Sequence, residues 1–226
     1  NLKRYKMPVN ANLNPNSAAR DAVAELTEIL RQWEEEHNIS GSDPTPHLVK
    51  LCELFELHTN NFLKRDPDPF DDRHPVTSDP DGALGQLLRA LFKRDVFVTK
   101  LVNHYLRDNY FSAQGSSQDS TPVNTAACRL MLDLLHGLDI PQVFRDSEST
   151  VAKLFTWAEK APEPLRTYAT GLLSAAVDIP DIATNFRDNN AHLLPIMLNR
   201  LWDLKDEGGQ DDVAPSETAR VPARPF

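Results

Sequence analysis

The chain has 226 residues, 40% of them hydrophobic and 25% charged, which is typical of a globular protein of one domain or one short repeat array. Its 24 basic and 33 acidic side chains give a formal net charge of −9, with no basic stripe, so we expect neither nucleic acid nor a membrane surface as a partner. The two cysteines cannot build a disulfide framework, which favours a reducing compartment. No apolar run approaches the roughly 18 residues of a membrane span.

The two ends of the chain differ in composition from its body. Residues 1–16 are rich in Asn and basic side chains, and we predict a flexible N-terminal lead. Residues 207–226 are acidic, contain prolines and have few large apolar side chains, which is typical of a disordered linker. Residues 17–206 are then expected to form one helical repeat domain. Because the chain begins at Asn1, we expect it to be a piece of a longer protein.

Amphipathic helices are predicted throughout the first half. They begin near Ser17, at Thr45 as an N-cap followed by Pro46, at the similar pair Asp79-Pro80, and at Asp95. Apolar residues recur behind each start at spacings of three and four, which places them on one helix face. The positions expected to face the core are Ala19, Val23, Leu26, Leu30, Trp33, Leu48, Leu51, Cys52, Phe55, Phe62, Leu84, Leu87, Leu88, Leu91, Phe92, Phe97, Leu101, Val102 and Tyr105.

The second half of the chain repeats itself. PVNTAACRLM from Pro122 aligns with PLRTYATGLL from Pro164, an offset of 42 residues. The same offset relates Phe144-Arg145-Asp146 to Phe186-Arg187-Asp188. Such a period lies within the range of HEAT and armadillo units, and three predicted helices per unit favour the armadillo plan. No segment alternates with a period of two, so we predict an all-α fold, an armadillo/HEAT-like helical repeat superhelix.

The acidic segment DPDPFDDRHP at residues 66–75 is the first candidate site. A calcium loop of the EF-hand type fails here, because Phe70, Asp71 and Thr77 occupy positions that require an oxygen ligand, a glycine and a glutamate. Aspartates that form turns and pair with nearby arginines are the simpler interpretation, with Phe70 as an apolar anchor. The candidate protein-binding residues in this segment are Phe70, Asp71, Asp72, Arg73 and His74.

The repeated Phe-Arg-Asp segments are the second candidate site, and two interpretations stay open. In the first, each phenylalanine packs between helical layers and the segment is purely structural. In the second, Arg145 and Arg187 line a ladder that binds acidic groups of a partner protein.

No pattern for catalysis or cofactor binding is found in the sequence. His47, Cys52 and His58 are five and six residues apart, a helix would place Cys52 on a different face from His47, and neither CxxC nor HxxxH occurs. Cys52 and Cys128 lie in leucine-rich stripes typical of inert core thiols. The chain also has no G-x-S-x-G elbow and no glycine-rich phosphate loop. We therefore expect no enzyme activity, cofactor or metal, and a scaffold that binds other proteins.

Several long segments resemble one known family. They are ELTEILRQWEEEH (25–37), DPDPFDDRHP (66–75), LGQLLRALFKRD (84–95), NTAACRLMLDLL (124–135), PLRTYATGLL (164–173) and DIATNFRDNN (181–190). These segments are similar to the N-terminal region of the Vpr-binding protein family, substrate receptors of cullin-4 ubiquitin ligases, across roughly residues 22–206. Residues 111–120 look like an insertion, which suggests an invertebrate member.

The resemblance implies an armadillo-type region of a nuclear protein, present also in the cytoplasm, that acts in protein ubiquitination and proteasomal degradation. Its partners would be proteins: ubiquitination substrates, and a ligase adaptor and cullin-4. In the family, a β-propeller engages the adaptor and a LisH motif mediates oligomerisation, so ligase docking and homo-oligomer formation would use parts of the parent protein absent here. The alternative hypothesis is a self-assembly module without a ligase role.

Overall fold

Every element of regular structure in the described part of the chain is helical. The structure is a computed structural model that describes residues 15–65, 75–135, 144 and 148–207. Its helices are α1 (Pro15–Glu36), α2 (Thr45–Leu63), α3 (Pro75–Ser78), α4 (Ala83–Phe92), α5 (Asp95–Asn103), α6 (Thr121–Leu134), α7 (Glu148–Lys160), α8 (Leu165–Ala176), α9 (Pro180–Asn189) and α10 (Leu193–Glu207), and a 3-10 turn covers Ser112–Gln114. The prediction of an all-α fold is confirmed for these residues. The predicted lead and linker at the chain ends lie almost entirely outside them.

The predicted helix faces form one apolar core. Leu26, Leu30 and Trp33 of α1 are buried, as are the leucines of α2 and α4 that were expected to face inward. α1 packs against α2 and α4, and α2 packs against α6, so the core continues from the first half of the chain into the second. Each fully buried leucine or phenylalanine stabilises the fold by about 1.5–3 kcal/mol relative to an exposed one, before the entropy of ordering is subtracted.

Two predicted helix starts are wrong in detail. Thr45 is the first residue of α2, and it is Asp43 that accepts a hydrogen bond from the Thr45 amide, at 2.9 Å. The Asp79-Pro80 pair does not begin a helix, because α3 already begins at Pro75 and the chain then turns before α4. Asp79 instead accepts a hydrogen bond from Arg65 at 2.6 Å, so a carboxylate that resembled a cap serves as an ion-pair partner.

A glycine lets α4 lie directly against the turn that precedes it. A Cβ atom at Gly85 would lie 2.4 Å from the backbone carbonyl oxygen of Asp79 and 3.1 Å from that of Pro75. Neither carbonyl can move without moving the turn, so only glycine permits this approach. Gly85 thus determines how closely α3 and α4 pack.

The helices of the second half follow the 42-residue offset. α6 and α8 end at Leu134 and Ala176, which are equivalent positions, and Leu130 and Leu172 are both fully buried. α8 packs against both α6 and α7, and the side chain of Phe186 in α9 contacts Phe155 of α7 at a ring-centroid distance of 6.0 Å. Among the described residues, the offset therefore relates α6 to α8, and α7 overlaps α10 at the same offset.

Aromatic side chains join α1 to the segment after α5. The indole N–H of Trp33 donates a hydrogen bond to the Tyr105 hydroxyl at 2.8 Å, and both side chains are buried. Phe97 meets the Trp33 ring edge-on at 5.0 Å. Trp33 is a core residue as predicted, and Trp157 is buried as well.

Candidate functional site

The predicted protein-binding residues are only partly within the described structure. Phe70, Asp71, Asp72, Arg73 and His74 lie outside the described residues, and so does Arg145. The acidic segment and the arginine ladder therefore stay predictions. The structure does describe Arg187, near the end of α9.

Arg187 presents its guanidinium group to solvent. Its side chain is 72% exposed, and its Nε donates a hydrogen bond to Asp188 at 2.7 Å. A guanidinium group is always charged at neutral pH, and this hydrogen bond raises the pKa of Arg187 further. Because an exposed ion pair contributes little to stability, exchange of Asp188 for a carboxylate of a bound protein would cost little. Phe186 beside it is partly buried against the α7 core, which anchors the position of the arginine.

The cysteines and the buried histidine have structural environments. Burial raises the pKa of both the Cys52 and the Cys128 thiol, and the Cys52 Sγ lies 3.6 Å from the carbonyl oxygen of Ala126. His47 is buried, and its Nε2 is hydrogen-bonded to Glu36 at 2.9 Å. Within the described ranges, no three histidine, cysteine or carboxylate side chains form a group that could hold a metal ion.

One bidentate ion pair ties the first half of the chain to the second. Nε and Nη2 of Arg129 in α6 donate to the two carboxylate oxygens of Glu56 in α2, at 2.6 and 2.7 Å. The pair is partly buried, with 23% of the arginine and 37% of the glutamate side chain exposed. The hydrogen bond with Glu56 is the main cause that raises the pKa of Arg129. Both charges are engaged with each other, so this pair orients α2 against α6.

A second polar cluster ties α10 to the start of α8. Arg200 donates to Glu163 at 2.7 Å, to Thr167 at 2.6 Å and to Thr170 at 3.1 Å, with only 17% of its side chain exposed. Burial by itself raises the pKa of Glu163. Hydrogen bonds from Thr167 and Arg166, together with the charge of Arg200, outweigh it and hold that pKa below its usual value. This cluster helps to hold α10 in place, together with Leu193, which is buried in the core, and Ile196 and Met197, which pack against it.

The loop after α5 is held against the turn between α1 and α2. The Gly41 amide donates to Gln114 Oε1 at 3.1 Å, and Gln118 Nε2 donates to Asp43 Oδ2 at 3.2 Å. We call these two hydrogen bonds the clasp. Gly41 and Gly115 both adopt positive φ, 79° and 77°, which lets each loop turn sharply at the clasp. The sequence carried no signal for the clasp, because isolated glutamines in a small-polar loop have no characteristic spacing.

Two shallow hollows lie on the described part of the surface. The larger, about 440 Å³, lies between α1 and α4 and includes Val23, Thr27 and Gln86. The smaller, about 210 Å³, lies where α6, α7 and α8 meet and includes Asn124 and Trp157. Asn124 is already satisfied, because its amide donates to the carbonyl oxygens of Tyr105 and Arg107 at 2.7 and 3.0 Å. Neither hollow brings together an activated nucleophile and a base.

Some large apolar side chains are exposed on the last helix. Leu194 and Leu198, one turn apart in α10, are 50% and 55% exposed. The equivalent residues of the first unit, 42 positions earlier, are Ala152 and Thr156, which are exposed as well. The second unit thus places leucines at surface positions where the first has smaller side chains. No described helix is both long and apolar enough to cross a membrane.

These features define an all-helical protein whose charged and polar side chains, across the described ranges, mainly hold helices and loops together. Residues 17–137, more than half of the chain, match the family model of the DCAF1 N-terminal domain, and residues 160–225 match that of the Mahjong helical domain. The chain belongs to the DCAF1 family, which is the Vpr-binding protein family that the sequence resembles, so this prediction is confirmed.

Two curated relatives give the extent of the similarity. Protein mahjong of Drosophila melanogaster is 46% identical over 179 residues, which is 78% of this chain and 12% of that protein. DDB1- and CUL4-associated factor homolog 1 of Caenorhabditis elegans is 40% identical over 182 residues, which is 80% of this chain and 10% of that protein. The chain therefore spans about a tenth of the length of these relatives. No solved structure matches it.

Proposed function

We propose that this chain is a non-catalytic, protein-binding helical-repeat scaffold of a substrate-receptor subunit of a cullin-4 ubiquitin ligase. It acts in protein ubiquitination and proteasomal degradation. The observation that carries the proposal is family membership, together with the name of the worm relative, which associates that protein with DDB1 and CUL4. The proposal places the full-length protein in the nucleus and also in the cytoplasm.

The repeated helices support a scaffold of the armadillo type. Two units related by a 42-residue offset bury equivalent leucines, and stacked units of this size form extended surfaces that bind other proteins. Because the chain spans only about a tenth of its relatives, we assign adaptor and cullin-4 binding, and homo-oligomer formation, to parts of the parent protein outside it. The proposed role of this chain is to recruit substrates.

Arg187 is the described residue through which we propose substrate contact. Its exposed cation fits an acidic group on the bound protein, and Arg145 and residues 70–74 are proposed to extend the same protein-binding surface. Arg94 is a matched control: it is also exposed, at 42%, and it also pairs with a carboxylate, that of Glu34 at 3.5 Å, but it lies outside the two repeat units.

The test compares the full-length parent with three variants: deletion of residues 17–206, Arg187→Glu and Arg94→Glu. Each is immunoprecipitated from nuclear extract, and adaptor, cullin-4 and associated proteins are quantified. We expect the deletion to retain adaptor and cullin-4 and to lose a set of other proteins whose ubiquitination falls. Arg187→Glu should lose part of that set, and Arg94→Glu none. If the full-length parent retains no cullin-4, or if the deletion loses no partner, the proposal is wrong.

A second candidate function is self-assembly without a ligase role, which the exposed Leu194 and Leu198 favour. Light scattering of the chain at micromolar concentration distinguishes the two functions. A dimer that Leu198→Asp converts to a monomer would support self-assembly, whereas a monomeric wild-type chain would rule it out for this region.

A further inference from the structure

The clasp links two parts of the fold that are far apart in sequence. One side is the turn between α1 and α2, where Asp43 also accepts the hydrogen bond that starts α2. The other side is the segment before α6, where Asp119 accepts hydrogen bonds from the amide and hydroxyl of Thr121, the first residue of that helix. The clasp residues Asp43 and Gln118 therefore lie next to the hydrogen bonds at the starts of both helices.

The serines of this loop differ in how available their hydroxyl groups are. Ser112 donates to the carbonyl of Asn109, and the Ser116 hydroxyl accepts a hydrogen bond from the Gln118 amide. Ser120 is buried, and its hydroxyl accepts a hydrogen bond from the Phe111 amide. Ser117 is exposed, and its hydroxyl makes no hydrogen bond with the described residues. A modifying enzyme can thus reach Ser117 without breaking a contact of the native loop.

We propose that Ser117 is a phosphorylation site and that its phosphate opens the clasp. In the reaction, Ser117 Oγ forms a bond to the γ-phosphorus of a nucleoside triphosphate, the bond from that phosphorus to the β-γ bridging oxygen breaks, and the hydroxyl proton passes to the base of the kinase. The residues that follow, Gln118 and Asp119, suit either a kinase that selects glutamine directly after the serine or one that selects a nearby acidic residue.

The charge around Ser117 explains why its phosphate would open the clasp. A phosphoserine carries about −1.5 to −2 charges at neutral pH. The phosphate would adjoin Gln118, whose amide holds the Asp43 carboxylate, and would lie two residues from the exposed carboxylate of Asp119. Repulsion between the phosphate and the Asp43 carboxylate across the clasp favours separation of the loop from the turn. This inference does not depend on the proposed ligase role.

The first experiment measures the modification itself. The purified chain is incubated with Mg-ATP and either a glutamine-directed or an acid-directed serine kinase, and the phosphorylated positions are mapped by mass spectrometry. We expect phosphate on Ser117 with at least one kinase, and its loss in Ser117→Ala. If both kinases phosphorylate their reference peptides but leave Ser117 unmodified, the proposed site is wrong.

The second experiment measures opening of the clasp by hydrogen exchange. In Ser117→Glu we expect the amides of residues 41–43 and 114–118 to exchange roughly fivefold faster, the effect of one close pair of like charges in water, with the core of α6 unchanged. Ser174→Glu is the matched control, since Ser174 is an exposed serine of α8 away from the clasp. The proposal is overturned if Ser117→Glu exchanges at the wild-type rate, or if Ser174→Glu shows the same increase at residues 41–43.

Discussion

Truncation of two equivalent leucines gives a direct test of the internal repeat. Leu130 in α6 and Leu172 in α8 are 42 residues apart, and neither side chain has any exposed surface. Both belong to the same apolar core, in which α6 packs against α8. If the two units are equivalent, Leu130→Ala and Leu172→Ala should each lower the free energy of unfolding by a similar, large amount.

The magnitude follows from the atoms removed. Each change deletes three buried carbon groups at about 0.8 kcal/mol each, roughly 2.4 kcal/mol. If about 50 Å³ of cavity remains after relaxation, the loss increases by about 1.2 kcal/mol. We therefore expect about 3–4 kcal/mol for each variant, within the range of about 2–5 kcal/mol seen for such substitutions. For a chain of this size, this should lower Tm by about 7–14 °C.

Urea unfolding followed by far-UV circular dichroism measures these losses. Leu198→Ala is the control, because Leu198 is 55% exposed and its truncation should change stability by no more than about 0.5 kcal/mol. If only one of the two Leu→Ala variants loses this much stability, the correspondence between the units is wrong. If both cost as little as the control, the core contacts of α6 and α8 are wrong as described.

Three further predictions test particular contacts. Gly85→Ala should lower Tm and reduce the free energy of unfolding by about 1–3 kcal/mol, because its Cβ would collide with backbone atoms. Gly171→Ala should reduce it less, because the new Cβ meets only a leucine methyl at 3.0 Å and alanine favours the helix. Tyr105→Phe should cost about 1–3 kcal/mol in urea unfolding, because the buried Trp33 indole N–H loses its acceptor; an unchanged midpoint would mean that another acceptor replaces it. The pKa of Glu163 is lower in the folded chain than in the unfolded chain. The carboxylate therefore stabilises the fold fully above the unfolded pKa of about 4.5, and this stabilisation is lost as the pH falls through the pKa of the folded state. Wild type should therefore lose more stability than Glu163→Gln in acid titrations below about pH 5, and parallel curves would contradict this.

The sequence alone predicted which residues face the core, because that information is local. Spacings of three and four placed Leu26, Leu30 and Trp33 on one face of α1, and all three are buried. The offset of 42 residues likewise predicted equivalent helices in the second half, since each unit must bury the same stripe. Residues 70–74 and Arg145 stay predictions, and Arg187 is described only as an exposed cation.

Local patterns were less reliable at helix starts. Asp79-Pro80 has the chemistry of an N-cap, but α3 begins at Pro75, so the same residues form the turn before α4. The Asp79 carboxylate instead accepts a hydrogen bond from Arg65, which lies 14 residues earlier. A carboxylate near a proline can therefore serve as a cap or as an ion-pair partner, and sequence spacing does not distinguish the two.

Local sequence patterns were sufficient to predict the helical class, the buried helix faces and the family. The contacts between distant side chains became known from the packed fold: Trp33 with Tyr105 across 72 residues, Glu56 with Arg129 across 73, and Asp43 with Gln118 across 75. Helix periodicity arises from backbone geometry within a few turns, whereas these pairs form only after whole helices have packed. Polar contacts of this kind have no spacing rule, so they follow from the packed core and cannot be predicted before it.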